Sequence, residues 1–535
     1  MAKQLPKQLE DPPVRKREST GRLAFLVAAG ILLSRLIGLV RLRVFSHYFG
    51  LRSDSADAFN AAFRIPNFLQ NLFGEGVLSA SFIPVYARLL ADGEEEQSGQ
   101  VAGAVAATLA LAVAVLCLIG VAVTPWLIDL IAPGFSGSKR ELTISLVRIL
   151  FPGAGLLVFS AWCLGILNSH RKLFLSYAAP VMWSAAMIAT LLMFGGRGTL
   201  SQLAVKLAWG SVAGSALQFG IQLPVVLKLA KHLRLRLDLD SEHVRIVLRN
   251  FVPVFISRGV VQISAYVDAL LASLLPTGAV TGLINAQLIY VLPVSLFGMS
   301  VSAAELPVMS SATGTTEQIQ VALGERIDSG LRHIAFFIVP SAAAFLAFGD
   351  LIAGALLQTG RFTHTDAQYV WGILAGSSVG LLASTMGRLY SSAYYALRDT
   401  RTPLKFAMIR VTLTTVLGYI CAKPLPIWIG IDPRWGVAGL TASAGIAGWV
   451  EFTLLRRGLH RKIGSAVSIS GFVLKLWMAA ALAVAVGSAG RLTPFASHPI
   501  YGALATLGPF CIVYLLVGAT VAPEGRRLVM RLLRH

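Results

Sequence analysis

Stretches of about 20 predominantly apolar residues recur along the whole 535-residue chain. They fall near 23–49, 57–90, 101–131, 142–167, 174–194, 203–229, 247–274, 279–310, 331–357, 367–397, 404–422, 435–455, 471–489 and 500–521. Gly, Pro or basic clusters end most of them. In hydrocarbon such a run can satisfy its own backbone hydrogen bonds only as a helix, and at that length the helix crosses a bilayer core. The reading is an all-α integral membrane protein with about 14 transmembrane helices. Composition agrees: 55% of residues are hydrophobic and only 13% charged, against about 25% in soluble domains.

The net charge of +20 would suit a nucleic-acid binder, but the basic residues sit mostly in short loops between spans. Starting with the tail inside, alternate loops carry Arg171 and Lys172, then Lys228 to Arg249, then Arg326 and Arg332. Further on come Arg398, Arg401 and Lys405, then Arg456, Arg457, Arg461 and Lys462. The intervening loops are poorer, which is the positive-inside pattern with both termini cytoplasmic. No nucleic-acid partner is implied. Residues 1–21 read as a basic cytoplasmic tail rather than a signal peptide, because no small-residue cleavage site follows the first apolar stretch. The expected plan is a six-helix bundle over 22–230, a cytoplasmic linker over 231–246, a second six-helix bundle over 247–460, and a helix pair with basic tail over 461–535. That plan suits a transporter that binds its substrate between two bundles. No GxxxxGK[ST] or HExxH occurs. Cys117, Cys163, Cys421 and Cys511 are far apart and lack metal spacing. A transporter with no metal or cofactor is expected, not an enzyme.

Charges inside apolar spans are expensive, and where they persist they face a cavity or a partner. The second stretch carries Asp57, Arg64, Asn67, Gln70, Asn71 and Glu75, with Pro66 to kink it. The first carries Arg35, Arg41 and Arg43. Arg35 and Arg41 point about 120° apart on an ideal helix, and Gly38 permits a bend that turns both into one cavity. Arg43 reads equally as a cavity residue or as a side chain snorkelling to the interface. The seventh span carries Arg258 and Asp268, too far apart to pair, about 15 Å along the helix. Asp268 either couples transport to a proton or sodium ion or neutralises an arginine of the first bundle. The eighth span has Asn285, Gln287, Glu305 and a breaking Pro293, and the tenth has Arg388. Spans eleven to fourteen contain few charges, which places the chemistry in the earlier spans. Several arginines in one cavity imply an anionic ligand, because guanidinium forks match phosphate oxygens and stay charged in a low dielectric.

Ser34-Arg-Leu-Ile-Gly-Leu-Val-Arg41, Asp57-Ala-Phe, Phe63-Arg-Ile-Pro-Asn67, Phe73-Gly-Glu-Gly76 and Phe82-Ile-Pro-Val closely resemble the MurJ/MviN family. These are bacterial lipid II flippases of the multidrug/oligosaccharidyl-lipid/polysaccharide exporter superfamily. Ala132-Pro-Gly-Phe135, Ile166-Leu-Asn168 and Asp399 with Thr402-Pro403 extend the resemblance over essentially the whole chain. It implies two bundles of six helices plus a C-terminal pair that forms a groove for the lipid tail. It also implies alternating access that carries an undecaprenyl-pyrophosphate-linked peptidoglycan precursor to the outer leaflet of the cytoplasmic membrane. The drive would be membrane potential or a cation gradient, with membrane lipids and peptidoglycan-synthesis machinery as further partners. The family's substrate-binding arginines fall on Arg35 and Arg41, and its helix-two positions on Asp57, Asn67 and Glu75. The chain departs from the pattern at Leu42, at Gln70, and in helix eight, where Gln287-Leu-Ile-Tyr-Val291 replaces an Asp-Arg-Leu-x-Glu pattern. Arg64, Arg258 or Arg388 is then expected to supply the missing positive charge. The leading expectation is a lipid II flippase. A drug–cation antiporter and a non-transporting membrane scaffold on the same fold are the alternatives, and the positive cavity argues against the former.

Overall fold

The computed structural model describes residues 20–73, 75–238, 240–311, 315–463, 469–494 and 498–521. The side chains of 20–28, 66, 69, 70, 73, 75, 76, 254, 256–265, 316 and 521 lie outside that description. The two basic tails and the side chains of Glu75 and Arg258 therefore fall outside the described residues.

Among the described residues the secondary structure is helical, apart from one isolated bridge between Thr359 and Phe362. The first half runs through α1 (Thr20–Phe49), α2 (Asp54–Phe73), α3 (Glu75–Ser81), α4 (Ile83–Ala91), α5 (Glu95–Ile131), α6 (Gly137–Ser169), α7 (Leu173–Ala178), α8 (Pro180–Phe194) and α9 (Leu200–Leu229). An extended segment leads to α10 (Glu242–Ser273), α11 (Ala279–Pro293), a π turn at Val294–Met299 and α12 (Ser300–Ser310). Then follow α13 (Thr316–Leu357), α14 (His364–Ala396), α15 (Arg401–Ala422), α16 (Pro424–Trp428), α17 (Gly436–Ile463), α18 (Ser470–Ser488) and α19 (Pro499–Val521). Among the described residues, eleven helical stretches are long and apolar enough to cross a membrane. They do not include α1, which carries several arginines, or α2 and α10, which carry both arginines and carboxylates.

Local chemistry explains the element ends. Thr199, Thr315 and Thr363 cap α9, α13 and α14 through reciprocal capping boxes with Gln202, Gln318 and Asp366. Pro293 ends α11, the backbone widens into the π turn, and α12 continues the same rod, so the expected break in the eighth span is present. Broken backbone at membrane depth is tolerated where it is buried or lines a cavity.

In the first half, α6 packs on α2, α5 and α9, and α8 on α1 and α9. In the second, α14 is the central rod, sandwiched by α13 and α17. Gly380 and Gly445 set that contact: a Cβ on Gly380 would lie 2.4 Å from the Gly445 Cα. Any larger residue would force the helices apart. The terminal pair α18 and α19 packs on α13, where the Tyr514 hydroxyl donates to the Phe336 carbonyl at 2.7 Å. Large apolar side chains such as Leu118, Trp126 and Leu130 stand exposed on the flanks, as lipid-facing positions do.

Candidate functional site

A cavity of about 460 Å³ lies between the halves, walled by α1, α2, α8, α10 and α11. Its polar lining is Arg41, Asn60, Arg64, Asn67, Asn71, Tyr266 and Gln287. The Arg41 guanidinium lies 4.9 Å over the Trp183 ring and 5.7 Å from that of Phe63, and these two rings stack at 5.2 Å. One amino group reaches the Met187 sulfur at 3.6 Å. Arg41 is thus held flat by aromatic faces rather than by a carboxylate, and its charge is left for a ligand. Arg64 donates to Gln287 Oε1 at 3.3 Å, while its carbonyl accepts from the Tyr266 hydroxyl at 2.5 Å. No carboxylate lines this cavity among the described residues.

The departures at Leu42 and in the eighth helix sit here, whereas the side chain of Gln70 lies outside the described residues. Leu42, Gln287, Leu288 and Val291 all line the wall. Of the three arginines expected to restore positive charge, Arg64 lines the cavity, Arg388 on α14 does not, and Arg258 is outside the described side chains. Asn60 and Asn71 join Asn67 as amides facing the cavity.

Arg35 corrects an expectation. The α1 helix runs unbroken through Gly38, so the angular offset persists and Arg35 stands exposed, outside this cavity. Asp57 is a larger correction. It is 1% exposed, and it does not line the cavity. Its Oδ2 accepts from Lys139 Nζ at 2.9 Å and from the Gly278 amide at 2.8 Å. Its Oδ1 accepts from the Thr281 amide at 2.9 Å and the Thr281 hydroxyl at 2.7 Å. Gly278 adopts φ +97°, which turns its N–H with that of Thr281 toward one carboxylate at the positive start of α11. A carboxylate this fully bonded binds the protein, not an anionic ligand.

Asp57 is the centre of a closure between the halves. Asp54 accepts from Thr277 at 2.8 Å and pairs with Lys139 at 3.3 Å. Asn60 donates to the Thr281 hydroxyl at 3.1 Å, and Arg52 pairs with Asp366 at 3.2 Å. His47 Nδ1 bonds the Thr359 hydroxyl at 2.9 Å, and the His47 carbonyl accepts from the Arg361 amide at 2.9 Å. Arg43 neither faces the cavity nor snorkels: it donates to the Ala355 and Leu356 carbonyls at 2.6 and 3.0 Å, at the negative end of α13. Lys139, which falls between two apolar runs in the sequence, is the cation that Asp54 and Asp57 share.

A second cavity of about 340 Å³ lies within the second half. Asp268, Gln287, Tyr290, Ser384, Arg410, Thr414 and Thr441 contribute its polar wall. Arg410 on α15 pairs with Glu451 on α17 at 3.3 Å. Arg410 shares the wall of this cavity with Asp268, and Gln287 lines both cavities. Two of the few charges in spans eleven to fourteen, Arg410 and Glu451, thus pair with each other, and Arg410 lines this cavity. A single Arg or Glu in a long apolar run scarcely lowers its hydropathy, and only packing shows that Arg410 and Glu451 face each other.

Outside the spans, the Lys462 ammonium and two bonds from Thr402 hold the Asp399 carboxyl well below the usual carboxylate range. Asp399 there caps the start of α15 and ties it to the end of α17.

Two helical bundles that close over a central cavity define a transporter of the multidrug and lipid-exporter architecture. A multidrug-resistance MATE transporter of the MOP superfamily in an inward-facing conformation superposes with a TM-score of 0.65, at 18% identity, over 83% of this chain and 99% of that one. The structure titled lipid II flippase MurJ, inward closed conformation, gives 0.73 at 23% identity over 94% of this chain and all of that one, 100%. The family model described as lipid II flippase MurJ matches residues 45–500. The lipid II flippase MurJ of Burkholderia cenocepacia is 30% identical over 446 residues, covering 82% of this chain and 84% of the relative. The chain belongs to the MurJ family.

Proposed function

We propose that this multi-pass membrane protein moves lipid II, an undecaprenyl-pyrophosphate-linked peptidoglycan precursor, from the inner to the outer leaflet of the bacterial cytoplasmic membrane. The observation that carries the reading is a cavity between two halves whose charged lining is Arg41 and Arg64, with no described carboxylate in it. That lining suits a pyrophosphate and repels a cationic drug. With both termini cytoplasmic, the closure around Asp57 faces outside and the cavity receives its ligand from the inside.

In this scheme Arg41, held flat on Trp183, presents a fork to the pyrophosphate, and Arg64 exchanges Gln287 for phosphate oxygens. Asn60, Asn67 and Asn71 offer amide donors. Arg35 lies about 9 Å along α1 from Arg41, toward the inner end, and meets the ligand first. Outward opening then requires the Asp57 contacts to break while the two halves rock about the bound head group. Asp268 couples this motion to a proton or sodium gradient or to membrane potential, because the cavity it lines shares the Gln287 wall with the substrate cavity.

Complementation of a bacterium depleted of its own lipid II flippase tests the reading. The wild type is expected to restore growth, and Arg41→Ala, expressed and inserted to the same level, is expected not to. Failure of the wild type despite normal membrane expression refutes the lipid II assignment. Asp268→Asn is expected to change the dependence of transport on the cation gradient in reconstituted vesicles. An unchanged dependence would leave Asp268 a packing residue.

A further inference from the structure

A third cavity lies on the outer flank of the first half, away from the transport path. It is a groove of about 460 Å³ lined by Glu141, Ile144, Ser145, Arg148, Ile149 and Pro152 of α6 together with Trp209 of α9. Positions 141, 145, 148 and 152 fall on one helix face, so the groove follows directly from the sequence.

Arg148 is the unusual member. It lies about 16 Å along α6 from Gly137 and shares the groove wall with Trp209, which is 59% exposed, while Trp126 stands 71% exposed five residues before the end of α5. Exposed tryptophans mark the boundary between hydrocarbon and head groups. Pro125 lacks an N–H, which leaves the Val121 carbonyl without its helical donor, and Arg148 Nε donates to that carbonyl at 3.3 Å. This bond fixes the side chain and leaves the two terminal amino groups free of it. Among the described residues no carboxylate forms an ion pair with Arg148, because Asp129, the nearest acid of α5 toward this end, is taken by Arg140 at 2.6 Å. A guanidinium at the edge of the hydrocarbon is costly without an anion. Glu141 lies on the same face, two turns or about 10 Å nearer the start of α6, with the exposed Ser145 hydroxyl between them.

We propose that this groove holds a zwitterionic aminophospholipid, with its phosphate on Arg148, its ammonium on Glu141 and an acyl chain along Ile149, Pro152 and Trp209. The order of charges selects the head group. The cation is the deeper group and the carboxylate the shallower one, which matches a phosphate with an ammonium beyond it. A purely anionic head group would place its second oxygen cluster against Glu141. With the orientation proposed above, the lipid belongs to the outer leaflet.

The purified full-length protein, equilibrated with equimolar phosphatidylethanolamine and phosphatidylglycerol, tests this by native mass spectrometry of the retained lipid. The wild type is expected to keep phosphatidylethanolamine in preference. Arg148→Gln is expected to lower that retention at least tenfold, and Glu141→Gln to abolish the preference while keeping retention. Phosphatidylethanolamine brominated on its acyl chains is expected to quench the fluorescence that Trp209→Phe removes. Equal retention by wild type and Arg148→Gln would overturn the site, and equal retention of both lipids by the wild type would overturn the head-group assignment. Because Glu141→Gln removes only an exposed charge, its preference remains readable if Arg148→Gln misfolds.

Discussion

Replacing Asp57 by alanine is expected to open the closed end of the molecule and abolish transport. The substitution removes an acceptor of four hydrogen bonds, from Lys139, Gly278 and twice from Thr281. It leaves two amide N–H groups at the start of α11 without acceptors and strips Lys139 of its shorter carboxylate contact. Breaking a buried charge pair by removing one partner costs about 3–5 kcal/mol. Asp54, at 3.3 Å from Lys139, takes up part of that charge, so the low end applies. About 3 kcal/mol is a shift of about 100-fold in the equilibrium between closed and open states. A state closed by a modest margin would then be open in most molecules. Spin labels on the exposed Arg197 and Gln368, one in each half, read this out by electron–electron double resonance. The wild type should give one short distance, and Asp57→Ala should move most of the population to a longer one. Asp57→Asn, which keeps a carbonyl acceptor but loses the charge, should fall between them. An unchanged distance distribution in Asp57→Ala would remove Asp57 from the closure.

How much of this was legible follows from what each residue depends on. The apolar runs were legible because a membrane helix is a property of its own sequence, and the break at Pro293 because a missing N–H is local. Arg41 and Asn67 stood out as polar groups in apolar surroundings, and both line the cavity. Asp57 stood out for the same reason, yet its role did not: whether a buried carboxylate meets a ligand or a helix start depends on Gly278 and Thr281, more than two hundred residues away. Lys139 falls between two apolar runs, and only packing brings it to Asp57. Arg35 shows the reverse error. Shared membership in a motif suggested a shared cavity, while the unbroken α1 keeps the two guanidinium groups on different faces.

Those two faces bear on the second large effect, the loss of ligand binding in Arg41→Ala. The Arg41 guanidinium is preorganised between Trp183, Phe63 and Met187, so little side-chain entropy is lost when it binds. Hydrogen bonds to charged groups contribute about 1.5–3 kcal/mol each, so removing the two bonds of the fork should weaken binding of undecaprenyl-pyrophosphate-linked substrate by about 100-fold or more. Arg41→Lys keeps the charge but loses the planar fork and most of the stacking, and should recover only part of the loss. Arg64→Ala should cost a similar factor, since its bond to Gln287 is a neutral placeholder that phosphate would replace. The two side chains wall the same cavity and would share one pyrophosphate, so the double variant should lose less than the product of the single losses. Equilibrium binding in lipid nanodiscs, with the same lipid lacking its pyrophosphate as the control, measures all four variants. A dissociation constant for Arg41→Ala within twofold of the wild type would sink the assignment of this cavity as the pyrophosphate site. Loss confined to the pyrophosphate-bearing lipid would show that the arginines read the head group, with the isoprenoid chain held elsewhere.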